Sequence, residues 1–426
     1  MAYALGIILF AFGILVAVAF HEAGHMWSAR AFGMKVTRFF IGFGPTIFSF
    51  RRREVQYGLK ALPFGAFVKI VGMTPQDDDV APEDEPKAMW RFPVWKRTIV
   101  MAAGSISHFI LAVVTLWIVF VIVGVPDGTK IDAVPVKVAD VQQCVAKTYQ
   151  YDPQTKAPRA CDPATDPKSP AAQLGLQPGD IVTKLDNTAV PNSPALRDAL
   201  KILVNQNVTV TYTRDGKTMT GTAYVPEVQR VKADIDPNKT ADKVTASDLE
   251  QGGMLGISID VYSELPTVRS GPVQGIGNTF STIGTMVTRT FESLQQIPAK
   301  VPKLLSAIAG QKRDPETPVS VVGASRIGGQ LFEVGDWTNM LTLFATLNLF
   351  FGIFNLFPLL PMDGGHIAIA WFERLRSWIA AKRGKPDPGR VDYVKLAPIT
   401  LGVIGILGVF VLLTVTADIV NPISIK

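Results

Sequence analysis

The sequence predicts a polytopic α-helical membrane protein of four transmembrane helices, with a water-facing α+β domain inserted between the second and the third. Three observations carry that prediction. Apolar residues make up 48% of the 426 and mean hydropathy is +0.25, while charged residues reach only 18%, below the quarter or so of a soluble chain. Four stretches are apolar over a length that can cross a bilayer. The basic residues are gathered, with 12 Lys/Arg from Arg30 to Arg97, 7 from Arg374 to Lys395 and none in residues 1–20. Basic segments flanked by apolar runs mark cytoplasmic loops. Both termini and region 126–336 are therefore expected outside the cytoplasm. Topology accounts for the net charge of +6, and no nucleic-acid partner is expected.

The first apolar stretch runs from about Tyr3 to Ala31. It lacks the basic start and small-residue cleavage site of a signal peptide, and its pattern continues through His21 to Trp27, so it is read as a retained span. The second covers about Thr98 to Val125. The third covers about Met340 to Leu360 and is interrupted by Asn355, Pro358 and Pro361. The fourth covers about Ala397 to Val420. The membrane core thus falls into two halves, 1–125 and 337–426, around a domain at 126–265 and an amphipathic connector at 266–336.

Within the domain, 136–168 is polar and reads as a loop insertion that holds the only cysteines, Cys144 and Cys161. Outside the cytoplasm a disulfide between them is permitted, two free thiols being the other reading. From Ser169 to Glu227 the runs DIVTKL, VTVTYT and GTAYV alternate with PGD and DGK turns, the pattern of a small sheet. Residues 272–309 space Phe280, Ile283, Met286, Phe291 and Leu294 as a helix does, either lying at the membrane surface or packing in the ordinary way. In the first cytoplasmic loop, residues 36–70 have strand-like composition broken by Gly and Pro. A hairpin there can dip toward the bilayer only where protein or water meets its backbone polar groups. The acidic run QDDDVAPEDE (76–85) reads as a solvated loop.

The chemistry gathers in two places. HEAGH occupies 21–25, and residues four apart share a helix face, so His21 and His25 can bind one metal while Glu22 holds and deprotonates a metal-bound water. Imidazole suits Zn²⁺. Ionisable groups at the end of an apolar helix are costly unless functional or paired. Two imidazoles leave a catalytic zinc one protein ligand short. Asp363, in NLFPLLPMDGGH (355–366), lies where the third span meets the second basic segment, at the same cytoplasmic depth as the histidines. Asp-Gly-Gly is also turn chemistry, and both roles can hold. The Asn355 amide can grip a substrate backbone or bond a neighbouring span.

HEAGH in the first span, the GFGP and YGLKALPFGAFVKI strands, a membrane stretch beginning AAG, and NLFPLLPMDGGH together resemble the bacterial site-2 protease family, most closely its actinobacterial regulators of sigma-factor signalling. The resemblance covers roughly 1–125 and 335–420. SPAAQLGLQPGDIVTKLDN (169–187) is similar to the PDZ module of these proteases, whose groove takes an extended peptide by strand addition or acts as a gate against bulky ectodomains. The resemblance implies four spans, a membrane-associated β-hairpin and an extracytoplasmic PDZ-like α+β domain. It implies zinc held by His21, His25 and Asp363 near the cytoplasmic leaflet, with Glu22 as the catalytic carboxylate. The hairpin would present an edge to the unwound substrate, with Gly65 and Phe67 as contacts and Asn355 as another. Substrates would be single-span membrane proteins such as anti-sigma factors, met in the lipid of the cell membrane. The second span departs from the family's Ala-Gly-Pro-x-x-Asn, reading Ala103-Gly104-Ser105-Ile106-Ser107-His108, so His108 either donates in place of the Asn or alters the site. Met362 and Ala66 replace the usual Leu and Gly. A catalytically inactive scaffold recruiting partners through the PDZ-like domain is the competing reading, against which the intact His/Glu/His/Asp set argues.

Overall fold

A computed structural model describes the chain apart from residues 74–79, 153–156, 233–234, 236–240, 260–264, 312, 315–316 and 425–426. Two compact units emerge, one formed by Met1–Gly124 with Arg269–Lys426, the other by Val125–Val268.

In the first unit four helices are long and apolar enough to cross a bilayer: Ala2–Ala31, Val94–Val123, Trp337–Asn355 and Tyr393–Val420. Helices suit lipid because they satisfy their own backbone polar groups. The first ends where Gly33 takes a positive φ of 83°, a conformation that favours glycine. The third stops at Asn355 because Pro358 and Pro361 cannot extend it. After a short turn a new helix, Asp363–Lys382, begins at Asp363 itself. The fourth begins at Tyr393, ahead of the expected Ala397, because the Asp392 carboxylate accepts from the Val394 N–H at 3.0 Å and caps it.

Small residues let the spans approach. A Cβ on Gly24 would run into Ser107 and the Ala103 backbone of the second span, so the first two helices meet at that glycine. Ala112 and Leu116 pack on Ala345, Leu349 and Ile353 of the third span. The connector forms one long helix, Pro272–Ile308, and a shorter one, Val321–Glu333. The apolar spacing expected in the long helix divides between two faces. Ile283, Met286 and Leu294 pack against the second and third spans, while Phe280 and Phe291 are exposed. The fourth span buries only Thr414, Ala417 and Asp418. Asp418 makes a fully buried ion pair with Arg313 at 2.7 Å and accepts from the Ser320 N–H at 2.6 Å.

The hairpin consists of Val36–Arg52 and Val55–Ile70, and its register is folded over. Phe39 faces Val68 and Ile41 faces Ala66, while the same stretch also faces Tyr57 and Leu59. The distal half, Thr46–Arg52, pairs with Val55–Lys60. Segment 36–41 therefore lies between 66–70 and 56–59, which leaves 66–70 and 46–52 as edges. The fold-over falls at Gly42 and Gly44, both at positive φ, and a Cβ on Gly42 would meet the Leu62 carbonyl oxygen at 2.6 Å. Phe43, Ile47, Phe48, Leu62 and Phe64 are exposed around it. Residues 76–79 of the acidic run lie outside the described residues. Asp84 and Glu85 correct the solvated-loop expectation, for Asp84 pairs with Lys35 at 3.0 Å and Glu85 with Arg91.

The second unit is built on a sheet whose strands run, in spatial order, Lys217–Val225, Gln206–Arg214, Ile181–Leu185, Val136–Val141 and Ile257–Ile259. All neighbours are antiparallel. Gln206–Arg214 buries Val208, Val210 and Tyr212 and turns the threonines between them outward, the period-2 pattern of a one-sided strand. Helices Pro170–Leu174 and Ser193–Ile202 close the core with Ala171, Leu196 and Leu200. Residues Val136–Val141 correct the expected insertion at 136–168. They form a strand with Val136 and Val138 in the core, because V-K-V-A-D-V alternates as a half-buried strand does. Cys144 and Cys161 are joined by a disulfide with Cα atoms 5.7 Å apart.

The Gln-Pro-Gly-Asp turn is held by its aspartate. Asp180, 1% exposed, accepts from the Gln177 N–H at 2.8 Å and takes both ends of the Arg214 fork at 2.7 Å. The Arg214 hydrogen bonds hold the Asp180 carboxyl below its ordinary pKa against the opposing effect of burial. A depressed folded-state pKa adds stability above the unfolded carboxyl's value, about 3.9, and that stability is lost as pH falls through the folded value. Hydrogen exchange of the 206–225 strands in the full chain should accelerate as pH falls below about 4, after correction for intrinsic rates, and Asp180→Asn should flatten that response. An unchanged acid response in the variant would remove Asp180 from this role.

Candidate metal centre and active site

The first span carries His21 and His25 one turn apart on its buried face. Their Nε2 atoms lie 3.2 Å from each other, and each lies 3.4 Å from Oδ2 of Asp363. Ligands held by a tetrahedral ion at about 2.0–2.1 Å sit about 3.3 Å from one another. The triangle of two imidazole nitrogens and one carboxylate oxygen has the edges of a zinc site. Asp363 Oδ2 is enclosed, and among the described residues the two imidazole nitrogens are what approaches it, a setting in which a cation shared by all three satisfies the buried carboxylate oxygen. The donor set therefore fits zinc.

Neighbouring groups aim these ligands. His25 Nδ1 donates to the Val100 carbonyl at 2.7 Å, which fixes the tautomer with Nε2 unprotonated and turned to the site. His21 Nδ1 is buried without a partner. Asp363 is set by its helix start. A Cβ on Gly365 would meet the Leu359 carbonyl carbon at 2.6 Å, and one on Gly364 would strike the Leu356 backbone. The two glycines let the new helix begin against the 356–360 turn, and that placement delivers the carboxylate. Gly104 is the residue that leaves room for the ligands. A Cβ there would stand 2.7 Å from His21 Nε2 and would collide with His25 Nε2.

Glu22 lies beside the ligand set, and its Oε2 accepts from the Val68 N–H of the hairpin at 2.9 Å. His108 joins the site from the second span, its ring 5.0 Å from that of His21. Asn348 on the third span uses its amide N–H on the Phe344 carbonyl at 2.9 Å, so its oxygen faces His108 Nδ1, also at 2.9 Å. His108 is thus the donor of that bond, and its partner is a residue of the third span. Asn348, Gly104, Val100 and Val68 escaped the sequence reading. The Ala-Ala-Gly run hinted at Gly104, and an Asn one turn after Phe344 in an apolar helix is the signal for Asn348.

The remaining candidates stand apart. Among the described residues no hydrogen bond or ion pair joins Asn355, Gly65 or Phe67 to His21, His25 or Asp363. Asn355 is half-buried at the end of the third span. Gly65 has a φ of 86°, with Phe43 where its Cβ would be. Phe67 stacks on Phe40 and Phe43, with centroids 5.6 and 6.0 Å away.

The constellation of a His/His/Asp triangle with an adjacent glutamate on membrane-type helices defines a membrane metallopeptidase class. The chain belongs to it: residues 9–388 match the model of peptidase family M50, the site-2 proteases. Over the full length of both proteins the chain is 38% identical to zinc metalloprotease Rip1 of Mycolicibacterium smegmatis and 37% identical to zinc metalloprotease Rip1 of Mycobacterium tuberculosis. It is also 25% identical to metalloprotease MmpA of Caulobacter vibrioides, over 85% of each chain.

Gly104→Ala should lower zinc affinity by about tenfold or more, read as metal content by elemental analysis after dialysis against a weak chelator. Retention of zinc equal to wild type would show that the second span can retreat from the histidines.

Proposed function

We propose that the chain is an intramembrane zinc endopeptidase that cuts single-span membrane proteins, anti-sigma factors among them, by regulated intramembrane proteolysis. The carrying observation is the triangle of His21, His25 and Asp363 with edges of 3.2–3.4 Å and Glu22 beside it. The names of the mycobacterial relatives support zinc and proteolysis. His21, His25 and Asp363 would hold the zinc, which would supply Lewis-acid polarisation of the scissile carbonyl and a more acidic water. Glu22 accepts the water's proton and passes it to the leaving amine. His108, held by Asn348, stands with its ring 5.0 Å from that of His21.

A helical substrate shields its peptide bonds, so it must unwind before cleavage. The folded-over hairpin supports this step, because segment 66–70 is an edge of the sheet next to Glu22 and an edge strand pairs with extended chain. Gly65 and Phe67 lie at its start, and Asn355 lies eight residues before Asp363. The basic segments support a topology with the site near the cytoplasmic leaflet of the cell membrane and with both termini and the Val125–Val268 unit outside. That unit's antiparallel sheet with two helices supports a PDZ-like module, and the Cys144–Cys161 bond suits an oxidising exterior.

The test is cleavage of a single-span anti-sigma factor, already trimmed outside the membrane, by detergent-purified protein. Glu22→Gln should keep its zinc and lose about 10²-fold or more in rate. His21→Ala and Asp363→Ala should lose zinc as well. Full activity in Glu22→Gln would refute the assignment.

A further inference from the structure

We propose that the backbone N–H of Val68 is the positioning group for Glu22, tying the catalytic base to the strand on which an extended substrate would lie. The inference rests on Glu22 being that base. Among the described residues the Val68 N–H is the one hydrogen-bond donor to the Glu22 carboxylate, at 2.9 Å.

The helix alone cannot aim this carboxylate. His21 and His25 share a face, while Glu22 is rotated about 100° from His21 around the helix axis. Its side chain has three rotatable bonds, and a free carboxylate at the end of them samples several staggered positions. One directed donor from outside the helix selects among these and occupies Oε2, which leaves Oε1 for the proton in transfer. The donor comes from a rigid place. Val68 faces Phe39 within the pairing of Val36–Ile41 with Ala66–Ile70, and that strand ends in Ile70, 1% exposed in a packed cluster with Val36 and Val55.

The bond also has a direction that matters. Segment 66–70 takes its strand pairing from 36–41, and the Val68 N–H reaches Glu22 instead of that neighbour, so it points away from the sheet. That open edge is where a substrate strand would add. A displacement of the strand by an ångström therefore moves the base by a similar amount. Seating of the substrate and aiming of Glu22 become one event.

Proline at an outward-facing edge position removes an N–H without breaking the ladder, so Val68→Pro deletes the donor alone. In the full-length detergent-purified protein, Val68→Pro should keep its zinc and lower kcat by about tenfold to a hundredfold with KM within about threefold, while Val68→Ala, which retains the N–H, keeps most of the rate. A raised KM with unchanged kcat would overturn the proposal, since the amide would then serve the substrate. So would a wild-type kcat, or loss of zinc with the loss of rate. A second readout needs neither metal loading nor turnover. In zinc-free protein labelled with ¹⁵N-valine, Glu22→Ala should accelerate exchange of the Val68 amide by about tenfold or more, and an unchanged rate would overturn the bond itself. Were wild type to cut no membrane substrate, the proposed function would fail while this exchange measurement still decided the contact.

Discussion

Three electron-rich atoms within 3.4 Å of one another, enclosed in an apolar helix bundle, are the constraint on which this structure depends. Lone pairs at that spacing repel unless a cation or a proton stands between them, and among the described residues the two imidazole nitrogens are the groups that approach Asp363 Oδ2. Burial makes the conflict worse, since a carboxylate removed from water loses far more than a hydrogen bond returns. A divalent ion resolves it. The surrounding architecture follows: glycines where the first two spans cross, a broken third span that restarts at Asp363, a carbonyl that orients His25 and an amide that orients His108.

Site-building depends on close approach as much as on the ligands themselves. Gly24 and Gly104 bring the second span against the first, while Gly364 and Gly365 bring the Asp363 helix against the turn before it. None of the four has a side chain to bring to the site. Each sets the separation of two backbones, and through it the position of a ligand atom. Site geometry and helix packing are here a single problem, and a side chain of one carbon at Gly104 would disturb both.

The sequence revealed what is written in residue type. The long apolar helices follow from composition, and the meeting of His21, His25 and Asp363 was legible in the spacing within HEAGH and in the aspartate that follows the third apolar run. The strands of the inserted unit follow from alternation and turn residues. What stayed hidden depends on partners distant in sequence. Val68 contributes a backbone N–H, which every residue but proline has. Asn348 matters through His108, 240 residues away. The fold-over of 36–70 arises from glycine conformations that permit a hairpin and a doubled sheet equally well. Val136–Val141 is the exception, since its alternation was legible and was outweighed by the polar run that follows it.

The Arg313–Asp418 pair has a consequence for how the protein is made. Arg313 leaves the ribosome 105 residues (418 − 313) before the aspartate that neutralises it, a wait of roughly 5 to 20 s at bacterial elongation speeds. Until then the guanidinium has no counter-charge at its buried position, so it must stay hydrated and the connector cannot settle. The pair can close only after residue 418 has been made. A chain truncated before Asp418 would leave Arg313 as a stranded cation that must keep its water, and the segment around it would stay open.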